Sequence, residues 1–94
     1  MANSYLTRVE LHNANASDYQ NLHAAMAAQK FMRTIPNDEG VRYQLPTAEY
    51  YSVAEIDTNA VLELAKLAVA SIGKTGSIIT VQFNDARWNG LPTA

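Results

Sequence analysis

The chain contains no cysteine. Disulfides and thiolate metal centres are therefore excluded, and nothing in the sequence demands an oxidising compartment. Histidine is scarce as well, with 2 in 94 residues, so a zinc site would have to be built from carboxylates. No glycine-rich phosphate loop, nucleophile elbow or pair of histidines at metal-ligand spacing occurs. Asp38-Glu39 could hold a magnesium ion weakly, but in a turn such residues are more simply solvated. No metal and no cofactor is expected. No run approaches the ~18 consecutive apolar residues of a membrane span. Met1 to Ser4 lead almost at once into a strand, so neither a signal nor a transit peptide is expected, and the expected location is the cytoplasm. Seven basic residues face nine acidic ones, for a net charge of −2. That excludes a strongly cationic nucleic-acid binder in bulk, because non-specific affinity grows with the number of phosphates neutralised.

Hydrophobic residues are plentiful, at 48% of the chain, enough for a packed interior. The length suits one domain spanning residues 1–94, with an irregular tail over 85–94. Hydrophobic periods follow in order along that length. Residues 4–13 alternate as a half-buried strand does, and residues 17–30 carry Tyr19, Leu22 and Met26 at helical spacing. Extended runs follow near 31–36 and 41–53, then a helix over 58–72 and a strand over 77–83. The string β-α-β-β-α-β predicts an α+β fold of the ferredoxin-like, split-βαβ kind. Such a fold is a four-stranded antiparallel sheet with two helices on one face and the other face bare.

Local signals refine this layout. Ser17, with Gln20 three residues on, reads as a capping box at the start of the first helix. Pro36 ends the second strand or marks an edge, and Pro46 predicts a bulge or bend in the third. The facing of Ala48 to Val53 is thereby open by one residue. Asp57 or Thr58 caps the second helix, which Gly73 ends. The expected buried sheet face is Tyr5, Val9, Leu11, Ile79, Val81 and Phe83, against Leu22, Met26, Leu64 and Ala68. Leu6, Arg8, Glu10 and His12 are then expected on the bare face.

Chemistry on that face centres on His12 and Arg8. A histidine titrates near neutrality and can take a proton from a ribose 2′-hydroxyl, while an arginine stabilises charge developing on phosphate. The plainer alternative is a row of solvated strand residues. His23, four residues after Tyr19, reads more simply as a partly buried histidine bonded to the backbone. Tyr43, Tyr50 and Tyr51, with Arg42 nearby, could stack on unpaired bases or serve as core or dimer contacts. Trp88 is expected to cover an edge of the core. The basic residues of the first half, Arg8, Lys30, Arg33 and Arg42, make it the half on which an anionic partner would dock.

The stretches YLTRVELHNA, DYQNLHAAM, FMRTI and YQLPTAEYY, together with the element order, resemble the GhoS family of type V toxin–antitoxin systems. The resemblance covers most of residues 4–84. It implies a ferredoxin-like fold akin to CRISPR-associated small nucleases and endoribonuclease activity against a single-stranded toxin messenger RNA. Those nucleases hold a divalent ion with an aspartate at the end of the first strand, paired across a dimer. Here that position reads His12-Asn13, and no aspartate follows until Asp18. The expectation is thus metal-independent cleavage by His12 and Arg8 in a homodimer. Arg33, Arg42, Tyr50 and Tyr51 would grip the RNA. The alternative is a non-catalytic dimeric module using the bare face for an RNA or protein partner. A small-ligand sensor would need a glycine-lined pocket between subunits, and the chain has only 4 glycines.

Overall fold

The computed structural model describes residues 2–94. Its elements run β1 (Asn3–Leu11), α1 (Ala16–Ala28), β2 (Thr34–Pro36), β3 (Arg42–Gln44), β4 (Glu49–Ala54), α2 (Thr58–Ser71) and β5 (Gly76–Phe83). This is an α+β architecture of two helices and antiparallel strands. β1 lies between β4 and β5, and β2 and β3 form a separate two-stranded sheet.

Alternation along β1 sends Tyr5, Thr7, Val9 and Leu11 inward. They meet Leu22 and Met26 of α1 and Val61, Ala65, Ala68 and Val69 of α2 in one cluster, which also takes in Phe31 and Tyr50. Both helices therefore cover the same face of the sheet. Several polar atoms in this core pair off. The Thr7 and Thr80 hydroxyls lie 2.9 Å apart, the Tyr5 hydroxyl donates to the Ile56 carbonyl, and the Leu11 amide donates to the Tyr19 hydroxyl.

Asn15, not Ser17, caps α1. Its side chain accepts from the Asp18 amide at 3.0 Å, while the Asp18 carboxylate accepts from the Asn15 amide at 3.0 Å. The reciprocal pair starts the helix earlier than the Ser17 signal implies, and the Asp18 charge favours the positive end of the dipole. At the other end Lys30 takes φ 68°, with the Lys30 amide bonded to the Ala27 carbonyl and the Phe31 amide to the Met26 carbonyl. That Schellman turn drives Phe31 back into the core beside Met26. α2 is capped by Asp57, which accepts from the Ala60 amide at 2.8 Å, and Gly73 at φ 72° ends it.

The single four-stranded sheet is not formed. Residues 34–36 pair with 42–44 in their own hairpin, closed by the Asn37–Gly40 turn, and only Met32 bridges to Tyr51 at the edge of β4. The third extended run breaks at Pro46, as the proline predicts. The Glu49 amide returns to the Pro46 carbonyl at 3.1 Å around Ala48, whose φ is 68°. This positive φ suits a type II turn and prevents β3 and β4 from being one strand. Beyond the turn, Tyr50 and Ser52 face the core.

β5 also faces opposite to the expected sense. Ile78 pairs with Val9 and Thr80 with Thr7, both inward, so Ile79, Val81 and Phe83 point away from the helices. Hydrophobic pattern favours the other parity, since Ile79, Val81 and Phe83 are all apolar while the inward set is Gly76, Ile78, Thr80 and Gln82. At Gly76 a Cβ would sit 2.9 Å from the Glu10 carbonyl oxygen, so glycine suits this rung opposite Leu11. The tail is likewise more ordered than its composition suggests. The Gln44 amide bonds to the Pro92 carbonyl and the Ala94 amide to the Arg42 carbonyl, laying the tail beside β3.

Candidate functional site

The sheet face away from the helices carries no helix, and the hairpin and tail border it at the Ser4, Tyr51 and Phe83 end. On β1 it presents Leu6, Arg8 and Glu10, the last two exposed. Cross-strand pairing sets Arg8 between Glu49 of β4 and Ile79 of β5, and Glu10 opposite Ser77. Arg8, Glu10, Ser77 and Ile79 line a shallow depression of about 250 Å³.

His12 follows at the end of β1, where its amide donates to the Thr75 carbonyl at 2.9 Å. Its imidazole is exposed and oriented from both sides, with Nδ1 3.2 Å from Thr75 Oγ1 and Nε2 3.1 Å from Ser77 Oγ. Three residues of strand lie between it and Arg8, roughly 13 Å at the Cα atoms. The two side chains therefore occupy opposite ends of a polar strip.

The other sequence candidates scatter. Tyr50 is 0% exposed and packs in the core, so it has no ring face to offer a base. Its hydroxyl lies 2.7 Å from His23 Nδ1, and burial pushes its pKa up to about 12. Burial, with the Arg33 charge second, pushes the His23 pKa down. Arg33 is exposed near this pair, on the helix side of the sheet. Arg42 is tied into the small hairpin: Nε donates to Thr34 Oγ1 at 2.7 Å and Nη2 to the Thr34 carbonyl at 3.1 Å. Tyr51 is half-buried on the uncovered face, pairing across to Leu6 and packing its ring 6.1 Å from that of Phe83.

One feature escapes the residue pattern altogether. A cleft of about 410 Å³ opens between the β2–β3 hairpin, the uncovered ends of β4 and β5, and the tail. Tyr43 and Trp88 line it from one side, their ring centroids 5.5 Å apart. Tyr51 and Phe83 line it from the sheet. Trp88 reaches Tyr43 because the tail runs antiparallel beside β3, a return that no periodicity in residues 85–94 announces.

Among the described residues no three His, Asp or Glu side chains cluster as a metal site, and no helix is long and apolar enough to cross a membrane. No protein-family model matches the chain, and no curated protein matches it.

Proposed function

We propose that this protein is a single-stranded-RNA endoribonuclease of the GhoS antitoxin type, cutting a toxin messenger RNA in the cytoplasm. The observation that carries the reading is the bare sheet face, with an unburied arginine at its middle and a doubly oriented histidine at its end. Two further features support it. The four stretches that resemble the family lie on β1, α1, the Met32 bridge with β2, and the β3–β4 turn. The spatial order Met32, β4, β1, β5, with both helices on one face, supports a ferredoxin-like reading in which residues at Met32 stand at the place of the second strand.

In this proposal His12 takes the proton of a ribose 2′-hydroxyl through the nitrogen it releases from Thr75 or Ser77. The 2′-oxygen bonds to the adjacent phosphorus, the bond from phosphorus to the 5′-oxygen breaks, and that oxygen takes a proton from water, to which His12 afterwards returns its own. The products are a 2′,3′-cyclic phosphate and a free 5′-hydroxyl. Arg8 holds the strand one or two nucleotides along, where its charge offsets that of the backbone. Tyr51 supplies a stacking surface on the same face.

The test is cleavage of an A/U-rich single-stranded RNA by the purified protein in the presence of a chelator. His12→Ala is expected to slow it about 10²- to 10⁴-fold, the usual contribution of a general base. Arg8→Ala is expected to weaken RNA binding while the fold persists. Equal rates in wild type and both variants would remove the site.

A second reading has its own observation. Met32, Val53, Ile79 and Val81 are exposed at 38%, 47%, 61% and 44%, an apolar strip beside Arg8. Such a strip suits a non-catalytic module that binds a partner or a second copy there. RNA retained uncut, together with a dimer by sedimentation that Ile79→Lys dissolves, would favour this reading.

A further inference from the structure

We infer that the aromatic cleft beside the hairpin is a docking site for one unpaired nucleobase of single-stranded RNA. This rests on the RNA-directed reading above and adds a subsite to it. The walls are two tilted aromatic pairs: Tyr43 with Trp88 at 58°, and Tyr51 with Phe83 at 50°. A flat heteroaromatic ring has π-faces and edges to match such walls, and each stacked base contributes sequence-tolerant affinity. The volume of about 410 Å³ falls within the ~300–1,000 Å³ typical of small-molecule sites.

Charge at the mouth narrows the occupant further. Asp38, Asp85 and Arg87 all line the cleft, and Asp85 is paired with Arg87, so the lining is acidic by one charge. The Asp38 carboxylate disfavours a phosphate inside, so the base enters and the backbone stays outside. Asn37 uses its side-chain carbonyl to accept from the Glu39 and Val41 amides, which leaves its NH₂ to donate. Asp38 accepts and Asn37 donates, which suits the mixed hydrogen-bonding edge of a base. The cleft also shares Tyr51 with the uncovered face that carries Arg8. A strand lying along β1 can thus turn one base into it.

Trp88 is the only tryptophan, so its fluorescence reports on this cleft alone. The experiment titrates the full chain carrying His12→Ala, to prevent cleavage, with three probes. These are a short A/U/G-containing RNA oligomer, an abasic oligomer of equal length, and free nucleoside monophosphates. The expected result is saturable quenching of Trp88 by the RNA oligomer, little by the abasic one, and at least tenfold weaker binding of monophosphates. Phe83→Leu and Tyr43→Leu should each weaken oligomer binding about tenfold, within the range for one lost base stack. The two variants sit in different sheets, so a folding defect in one leaves the other informative. Binding of the oligomer with unchanged Trp88 emission, or at wild-type affinity in both variants, would overturn the inference. Equal quenching by monophosphates would overturn its RNA part. Quenching by RNA that wild type never cuts sinks the nuclease reading and spares the cleft; cutting with Trp88 silent does the reverse.

Discussion

The Tyr50 hydroxyl meets His23 Nδ1 at 2.7 Å, tying β4 of the main sheet to α1. Tyr50 is wholly buried and His23 partly so, their ring centroids 5.8 Å apart. Removing the hydroxyl leaves the imidazole nitrogen without that partner. Tyr50→Phe is expected to cost about 0.5–1.5 kcal/mol. In a domain of this size that lowers the melting temperature by several degrees, at about 4–8 °C per kcal/mol. A melt indistinguishable from wild type would show the bond to be worth nothing.

The same pair predicts how stability responds to pH. Burial, and then Arg33, hold the His23 pKa below its ordinary value of 6.5. The unfolded chain therefore binds the proton first as pH falls. The contribution of His23 is complete above about pH 6.5 and is lost as pH drops through the lower folded-state value. Wild type should thus lose more melting temperature between pH 7.5 and 5 than His23→Gln does, and parallel curves would refute this. At the alkaline end Tyr50 titrates near 12 in place of 10, so its contribution holds below pH 10 and fades as pH rises towards 12.

Ser52 Oγ is buried with no hydrogen-bond partner among the described residues. An orphaned hydroxyl in a core is a desolvation cost without return. Ser52→Ala is expected to leave the fold intact and raise stability, by about 1 kcal/mol in chemical denaturation.

Asn15→Ala removes one arm of the α1 capping box. The expected loss is about 1 kcal/mol, read from the denaturation midpoint, and Asn15→Ser should recover most of it. Ser17→Ala, by contrast, should change little, since the helix already begins before it.

Gly76→Ala places a methyl 2.9 Å from the Glu10 carbonyl oxygen, a backbone atom that cannot rotate aside. Strand separation at that rung should destabilise by about 1–3 kcal/mol. Because Thr75 and Ser77 orient His12, the same substitution is expected to slow any RNA cleavage as well.

The order of elements was legible because alternation in β1 and the helical stripes each admit one interpretation. Leu6, Arg8 and Glu10 follow on the bare face from parity alone, and His12 continues their line. β5 resisted, since its apolar parity of Ile79, Val81 and Phe83 faces outward, while Thr80 turns inward and meets the Thr7 hydroxyl. The hairpin was legible in part: its two extended runs and the turn residues between them are in the sequence. Its separation from the main sheet and the tail that returns beside it are not announced by any local propensity. Tyr50 and Tyr51 are adjacent and chemically alike. Only the turn at Ala48 determines which of them the core takes and which remains for the surface.

β5 sits at the outside of its sheet, with no described strand on its far flank. From Gly76 to Phe83 it carries no charge and no proline. An edge strand of this kind can template another strand, and nothing in its composition discourages self-assembly. Concentrated samples should therefore associate edge to edge, and Gln82→Pro, or lysine at Val81, should keep them apart.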